Sequence, residues 1–512
     1  MAARNIVQYV LLMVASILCL SYPTNCFSIT LRAFIGVDSP LSFHPDDCAD
    51  GIISDHLNQI YDTLFWIDYD GNLVPSLATE WKRVDPYVVQ IKLRKGVSFH
   101  NGEIFDSHSV KYTFDRFVDP LNKVANRFYG SSIARVEIVD KYTVNIITQV
   151  PDSLLVYRLA VVGLMIPPKY HEKVGKRYFS QHPVGTGPFK FVESIPNSKL
   201  VLESNLNYWA GCPEIDRLEF HYYSSVDKAV VALKEGEIDF VAHIPGRYSE
   251  DIQMDNHLSL LKKLTRQSIM LLVNTKKNGP LQDKEFRQRL RAGINFNDVI
   301  KYGHNGNGVI ARSLTFRGEP FDDDSLKQFH YDVNFAKQYI RQHNIAKKSF
   351  KILITKPYDL GGRIIAKQMH SLGLNLDVEF GSDKDEIKAV LEKNQNGLIP
   401  EIDFLFTYCA HRYALGAFPL LVLLHSKGNW SMTADPTLDN LLDSAMNEFD
   451  FQKQREKFWQ VNRYVYDNAL VFPGFQHQDL YGYVREIGFV PHVTAYVYFK
   501  DVKIIDTYKL KD

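Results

Sequence analysis

Residues 408–413 concentrate side chains that can bind a charged, planar ligand. Arg412 carries a guanidinium group whose fork of N–H donors matches a carboxylate or phosphate group, and the neighbouring His411 can add a second donor. Tyr408 and Tyr413 supply aromatic rings that can stack on a flat ligand. This pattern indicates a site for a solute with an acidic group. It also fits a surface loop in which Arg412 is simply hydrated at the rim.

Motifs for catalysis are missing from the sequence. Neither Gly-x-Ser-x-Gly nor His-Glu-x-x-His occurs, and the His171–Glu172 pair has no second histidine at the helical spacing that a zinc site requires. The sequence does not exclude a pair of catalytic carboxylates like that of a glycosidase, because those two groups need only be close in space and not in sequence. We therefore expect a protein that is not an enzyme and has no catalytic residues, and a secreted hydrolase remains the alternative.

The sequence also gives no sign of a metal site or a cofactor. The 17 histidines show no ligand spacing, and Cys48, Cys212 and Cys409 are too far apart for a zinc pattern. These three cysteines are expected to remain after export, and whether two of them form a disulfide stays open. We expect no bound metal and no cofactor.

Composition and periodicity restrict the fold class. The chain of 512 residues has 59 Lys and Arg against 59 Asp and Glu, so no basic excess predicts nucleic-acid binding. That length predicts about three domain-sized units. Helical and strand patterns alternate along the chain, which predicts an α/β architecture.

The N-terminal residues are typical of a secretory signal peptide. Arg4 precedes an apolar run over residues 6–20, and Pro23 then breaks that run. The run is shorter than a bilayer requires, so residues 1–26 are predicted to be a cleaved signal. An uncleaved anchor is the alternative. The mature chain is expected in the periplasm.

The segment over residues 73–117 is the most specific part of the sequence. Val89, Ile91 and Leu93 alternate with polar residues, which predicts a strand with one buried face. Asp106 can cap a helix in which Val110, Phe114 and Phe117 share a face.

The order of residues in this segment resembles that of the family 5 extracellular solute-binding proteins, which are dipeptide, oligopeptide and nickel receptors of bacterial ABC importers. Further segments that resemble the family follow in the expected order; they are Val184-Gly185-Thr186-Gly187-Pro188-Phe189, Asn205-Leu206-Asn207-Tyr208-Trp209, Leu233-Lys234-Glu235-Gly236-Glu237-Ile238-Asp239-Phe240 and Tyr331-Asp332. Together they cover nearly all of the mature chain.

The resemblance implies a two-lobed fold like that of periplasmic binding proteins, with an extra subdomain in lobe one and the ligand cleft between the lobes. Lobe one is placed at residues 27–273, with the inserted subdomain at roughly 65–183. Lobe two is placed at 274–481, and 482–512 return to lobe one. The chain is expected to cross between the lobes near 264–274 and near 472–482.

The resemblance also implies a function. A monomer would capture a peptide or peptide-like solute by hinge closure and deliver it to the permease and ATPase subunits, touching the membrane only through the permease. An anionic compound, a nickel complex or haem is the alternative ligand.

In this family a loop of the second lobe usually carries a Trp, acidic residues and an Asp-Pro step. Here Tyr408 stands where Trp is usual and His411 where an acid is usual, so the loop has lost its negative charge. The resemblance makes Tyr129 and Phe43 weaker candidates for the cleft, and core packing is the alternative for such aromatic side chains.

Replacing Arg412 with Ala is expected to weaken solute binding by about 1 kcal/mol or more if the guanidinium makes a buried charged contact. Isothermal titration calorimetry of the wild type and Arg412→Ala measures this effect. Equal affinities would place Arg412 outside the site.

Overall fold

The computed structural model describes residues 28–37, 39–47, 51–125, 127–356, 358–381, 400–410, 415–428 and 430–506, without the side chains of residues 51–54, 128, 129 and 410. The described strands are β1 (Thr30–Phe34), β2 (Phe65–Ile67), β3 (Leu73–Pro75), β4 (Ala78–Asp85), β5 (Val88–Leu93), β6 (Ile133–Asp140), β7 (Thr143–Thr148), β8 (Phe189–Ile195), β9 (Lys199–Ser204), β10 (Arg217–His221), β11 (Phe240–Val241), β12 (Leu258–Val273), β13 (Gly308–Ile310), β14 (Ser349–Thr355), β15 (Asn375–Gly381), β16 (Phe404–Ala410), β17 (Val471–Val484), β18 (Ile487–Gly488) and β19 (Lys503–Ile504).

The described α-helices are α1 (Gly51–Ile60), α2 (Ser107–Val118), α3 (Leu155–Arg158), α4 (Pro168–Phe179), α5 (Val226–Glu235), α6 (Ser249–Met254), α7 (Lys284–Ala292), α8 (Phe296–Asp298), α9 (Val333–Gln342), α10 (Asp359–Leu372), α11 (Ala417–Pro419), α12 (Pro436–Met446) and α13 (Phe451–Asn468). Helices and strands alternate along the chain, so the predicted α/β class is confirmed.

The segment that the sequence analysis singled out folds as predicted. β5 buries every second side chain, as its alternation requires. α2 begins after Asp106, whose carboxylate accepts a hydrogen bond from the backbone N–H of His108 at 2.9 Å. Val110 and Phe114 lie one helical turn apart, and both are fully buried. Local sequence therefore determines this strand and this helix.

A four-stranded antiparallel sheet forms a separate unit within lobe one. Its strand order is β4-β5-β7-β6, and α2 packs on it. The side chains of this unit form their own apolar cluster, which includes Phe105, Phe114 and Val144. This unit lies inside the range 65–183 that the sequence analysis proposed for an inserted subdomain.

One large mixed sheet runs through both lobes, in the order β15-β14-β16-β12-β17-β11-β1-β10-β9-β8, with β13 paired to β17. β14 is parallel to both β15 and β16, and β1 is parallel to both β10 and β11. Buried apolar clusters cover both faces of each half of this sheet. The predicted two-lobed fold is thereby confirmed.

β12 and β17 are the strands that join the two lobes. The first part of β12 pairs with the last part of β17, from Leu258↔Val484 to Leu264↔Gln478. After a break in register at residues 265–267, pairing resumes at Ser268 and continues into lobe two. The predicted crossings at 264–274 and 472–482 fall on these strands, and the residue bounds proposed for the lobes stay a prediction.

A buried pair of histidines connects the core of lobe one to α4. The Nδ1 atom of His44 accepts from the backbone N–H of Asp46 at 3.0 Å, so its Nε2 carries the proton and donates to Nε2 of His171 at 3.0 Å. His171 then donates from Nδ1 to the Tyr112 hydroxyl at 2.8 Å. Burial, reinforced by nearby cationic side chains, lowers the pKa of each histidine to about 3. Both imidazoles are therefore neutral in the folded protein.

Lowering the pH from 7 to 5 is expected to destabilise lobe one. The unfolded chain takes up protons below about pH 6.5, whereas the two folded histidines resist protonation until about pH 3. At pH 5 the free energy of unfolding should fall by about 2 kcal/mol for each histidine. Urea unfolding at pH 7, 6 and 5 measures this loss. The double variant His44→Gln with His171→Gln should lose this part of the pH dependence, and the surface variant His108→Gln should keep it; an unchanged slope in the double variant would contradict the assignment.

Candidate functional site

The break in pairing between β12 and β17 lies where the two strands pass from one lobe to the other, and residues 265–267 with their neighbours on β17 are called the floor below. Side chains fix the unpaired backbone at this point. Gln476 donates from Nε2 to the carbonyl oxygen of Thr265 at 3.0 Å, and the Thr265 hydroxyl donates to the carbonyl oxygen of His477 at 3.3 Å. These bonds satisfy backbone groups that the ladder leaves unpaired. The floor is therefore a defined bulge.

Aromatic side chains form the edge of this space on lobe two. Tyr358 follows the carboxyl end of β14 and Tyr408 lies near the carboxyl end of β16, with 5.0 Å between their ring centroids. The ring of His304 lies 5.5 Å from that of Tyr358. Ligands of open α/β sheets bind outside the carboxyl ends of parallel strands. These three rings occupy such a position.

Histidines and one aspartate form a polar chain across the hinge. The rings of His304 and His477 are 6.0 Å apart, His477 Nε2 lies 3.5 Å from an Asp479 oxygen, and His243 Nδ1 lies 3.0 Å from the same oxygen. Gln267 adds a hydrogen bond to Asp479 at 3.0 Å. His304 belongs to lobe two and His243 to lobe one, so the chain links the two lobes through β17.

The charges of this chain follow from its contacts. Burial alone would raise the pKa of Asp479, but His243 and His477 outweigh burial and hold that pKa far below its usual value. Burial opposes protonation of His243, yet Asp479 raises its pKa. Burial, together with His477, lowers the pKa of His304 to about 4. The Nε2 atom of His304 and the Nδ1 atom of His477 are buried and have no hydrogen-bond partner among the described residues.

A second polar group lies on the other side of the floor. Arg266 of the bulge is 6% exposed and donates from a terminal nitrogen to the Asp70 carbonyl oxygen at 3.4 Å. Its guanidinium fits against Gly71, where a Cβ atom would come within 2.1 Å of it. Glu319 of lobe two and Tyr157 and Asp68 of lobe one interact electrostatically with Arg266. Both signs of charge are thus present at the lobe interface.

Away from the hinge, the lobes touch at a rim contact formed by Ser153 and Leu154 of lobe one with Met446 and Gln454 of lobe two. The Ser153 hydroxyl donates to the Met446 carbonyl oxygen at 2.6 Å and accepts from Nε2 of Gln454 at 2.6 Å. Leu154 is buried in an apolar cluster of lobe two. The lobes therefore touch at this rim as well as along the connecting strands.

The structure describes part of the set of site residues predicted from the sequence. Tyr408 lies at the lobe-two edge and is 37% exposed. His411, Arg412 and Tyr413 lie outside the described residues, as does the side chain of Tyr129.

Phe43 is 3% exposed and packs in the core of lobe one, 5.5 Å from the Phe191 ring. The ligand contacts proposed for all of these residues stay predictions.

Sequence reasoning did not find the groups that surround the floor. No sequence motif connects the residues in question, because they come from distant segments that only the fold brings together; they are His304, His477, Arg266 and Glu319.

Within the described part of the chain, no group of three or more His, Cys, Asp or Glu side chains could hold a metal ion. No described helix is long and apolar enough to span a membrane.

Comparison with known proteins identifies the family to which the chain belongs. Residues 72–404 match the family described as bacterial extracellular solute-binding proteins, family 5 Middle. The glutathione-binding protein GsiB of Pectobacterium atrosepticum is 28% identical over 331 residues, which are 61% of this chain and 64% of that protein. GsiB of Escherichia coli O157:H7 is 26% identical over 316 residues, 59% of this chain and 61% of that protein. The chain thus spans less than two thirds of the length of these relatives.

Solved structures share the fold at lower identity. HbpA2 of Haemophilus parasuis superposes with a TM-score of 0.81 at 21% identity, covering 93% of this chain and 99% of that one. DppA of Helicobacter pylori in complex with the peptide STSA gives a TM-score of 0.78 at 21% identity, covering 94% and 99%. The dipeptide-binding protein of Pseudoalteromonas sp. SM9913 in complex with Met-Leu gives 0.77 at 18%, covering 93% and 100%. With its two lobes, its crossing strands and the family match over most of its length, the chain belongs to family 5 of the bacterial extracellular solute-binding proteins.

Proposed function

We propose that this protein is the exported substrate-binding component of an ABC importer and that it captures a peptide or peptide-like solute between its lobes. The observation that carries this proposal is the bulge at residues 265–267, where the two connecting strands lose their pairing between the lobes. A hinge needs a few residues that absorb a change in backbone angles. The residues of the bulge, which leave the β12–β17 ladder, meet that need, and the paired strands on either side keep each lobe rigid.

The groups around the floor favour a solute with polar ends. His304 and His477 offer buried ring nitrogens without a protein partner among the described residues. Buried polar atoms without partners are costly, so a solute that supplies those partners stabilises the closed form. Peptides carry amide groups along the chain and charges at the ends, which suits such a surface. The names of the relatives, which refer to glutathione and to peptides, support the same class.

Delivery of the solute follows from closure in this proposal. Residues 1–26 would direct export to the periplasm and be cleaved, and these residues lie outside the described part of the chain. Closure would then present surfaces of both lobes, 27–273 and 274–481, to a membrane permease powered by an ATPase subunit. The protein would act as a monomer that meets the membrane only through the permease. The relatives that the comparisons found are binding proteins, which supports a role without catalysis.

The purified mature protein is expected to bind short peptides with micromolar affinity, corresponding to about −8 kcal/mol. Native mass spectrometry of gently purified protein, followed by denaturation, identifies any solute that it carries. Isothermal titration calorimetry with glutathione, Met-Leu and Ser-Thr-Ser-Ala then ranks the peptide classes, with free glycine and glucose as controls. Release of a non-peptide compound, together with no heat from any peptide, would contradict a peptide receptor.

Removal of the rim contact is expected to favour the open form. The double variant Ser153→Ala with Gln454→Ala deletes two hydrogen bonds that join the lobes at the rim. At about 1 kcal/mol for each bond, solute affinity should fall by roughly 5- to 30-fold. Small-angle X-ray scattering should show a larger radius of gyration without solute. Ser371→Ala, on the surface of lobe two, is the matched control. Unchanged affinity and unchanged scattering would show that the rim contact does not set the lobe equilibrium.

A further inference from the structure

Lobe one contains a cavity that is separate from the space between the lobes. It has a volume of about 280 Å³ and is partly enclosed. Its walls come mainly from the end of α1, from β2 and β3, from the segments 160–164 and 208–210, and from the C-terminal segment at 498–500. Among the residues that the structure describes, none of the floor and none of lobe two lines this cavity. The cavity therefore offers a place for a second, smaller molecule.

Five aromatic side chains line the cavity, and they are Tyr61, Trp66, Tyr208, Trp209 and Tyr498. The rings of Tyr208 and Trp209 have centroids 5.4 Å apart, and those of Trp66 and Tyr498 have centroids 5.8 Å apart. Aromatic walls of this kind pack well against another flat ring. A cavity of about 150 Å³ is enough to hold benzene, so this one has room for a ring with substituents.

Asp62 places a hydrogen-bond acceptor with spare capacity at the cavity. One of its carboxylate oxygens accepts from the Thr186 hydroxyl and from Nε1 of Trp209, each at 2.9 Å. The other oxygen accepts from the Tyr208 hydroxyl at 2.9 Å and from no further group among the described residues. A carboxylate has about four lone-pair positions. The second oxygen can therefore accept one more donor.

Trp66 contributes a donor that lacks an acceptor. Its Nε1 atom is buried and makes no hydrogen bond to any described residue. The Tyr498 hydroxyl interacts with this N–H, but outside hydrogen-bonding geometry. A buried N–H without a partner costs free energy, and an acceptor on a bound molecule would remove that cost. The cavity thus has one polar group that can take a donor and one that needs an acceptor.

The charges around the cavity favour a neutral ligand. Lys500 lies over the Trp66 ring, 4.4 Å from its centroid, and pairs with Asp501. Arg94 lies over the Trp209 ring, 4.3 Å from its centroid. Together with the carboxylate described above, two cations therefore stand beside two carboxylates. A charged ligand would lose its hydration here without gaining an unpaired opposite charge.

We propose that this cavity of lobe one is a second binding site, which takes a small, neutral, planar heterocycle with a hydrogen-bond donor and an acceptor on its edge. The aromatic walls pack against the heterocycle, its N–H donates to Asp62, and its carbonyl oxygen accepts from Nε1 of Trp66. Cyclic amides such as 2-pyridone and uracil have this chemistry. The inference does not depend on the peptide proposed for the space between the lobes, because the described parts of the two sites share no residue.

Fluorine NMR of the mature protein labelled with 5-fluorotryptophan tests the proposal. The chain has five tryptophans, of which Trp66 and Trp209 line the cavity. Titration with 2-pyridone is expected to shift these two resonances, with half-saturation at about 1 mM or below. The resonances of Trp430 and Trp459, which belong to lobe two, should not move. Single Trp→Phe variants assign the signals.

Two control ligands separate the features of the heterocycle. 2-Piperidone keeps the N–H and the carbonyl group of 2-pyridone but has a saturated, puckered ring. Benzoate keeps a flat ring but carries a negative charge. Each is expected to bind about 10-fold more weakly than 2-pyridone or worse, because the first loses the aromatic packing and the second is desolvated without a free cation.

Variants of the cavity wall provide an independent test. Ala160→Leu fills part of the cavity with a larger apolar side chain and is expected to abolish the shift of the Trp209 resonance. Trp66→Phe keeps an aromatic ring but removes the N–H, and should weaken 2-pyridone binding about 3- to 10-fold. Ala434→Leu, at an exposed position of lobe two, is the matched control and should bind like the wild type.

The outcomes decide the inference separately from the proposed function. Shifts of the two cavity resonances, weaker binding of both control ligands and loss of binding in Ala160→Leu support the second site. No shift in the wild type, equal binding of all three ligands, or an unchanged shift in Ala160→Leu overturns it. Displacement of 2-pyridone by Met-Leu would place both in one site and overturn it as well. None of these results measures affinity for peptides, so the proposed function stands or fails by its own titrations.

Discussion

The antiparallel pairing of β12 with β17 is the constraint on which the rest of the structure depends. Each strand contributes one part to each lobe, so backbone hydrogen bonds hold the lobes together on both sides of the bulge. The ladder is interrupted at residues 265–267 and shifts register again between Ile269 and Met270, so in the proposed receptor a rotation between the lobes would concentrate at these irregularities. Side chains on or beside the bulge, such as Arg266 and His477, remain near the interface whether the lobes are open or closed. In the proposed receptor, the geometry of this hinge would determine which residues meet the solute.

In the proposed receptor, closure would remove the groups around this floor from water, and the hydrogen bonds and ion pairs of these groups would set the free-energy cost of that desolvation. Asp479 has His243, His477 and Gln267 as partners, so the protein itself satisfies its charge. Glu319 has backbone donors and no ion-pair partner among the described residues. A closed form that leaves such groups unpaired is less stable than one in which a solute completes them. The same physics links affinity for the solute to the equilibrium between open and closed lobes.

The charge of the site shows where local reasoning is incomplete. The loss of acidic residues at 411–415 favours an anionic ligand when that loop is considered alone. In the folded protein, Glu319 contacts the backbone of Gly416, 97 positions later in the chain. The folded protein therefore places beside the end of this loop a carboxyl group that no sequence window around the loop contains. The contribution of Arg412 stays a prediction beside it.

The sequence by itself determined the elements that short-range patterns encode. Alternation over β5, the cap at Asp106 and the apolar run at 269–273 each depend on neighbours a few residues apart, and the structure contains the corresponding strand, helix and crossing. Tertiary structure alone decided the chain from His304 to His243, whose last link joins residues 236 positions apart, and the position of Glu319. It also decided that Phe43, which follows the first strand, packs in the core of lobe one. Secondary-structure propensity and hydrophobic periodicity depend on residues that are close in sequence. The contacts of the site depend instead on how segments distant in sequence pack against each other.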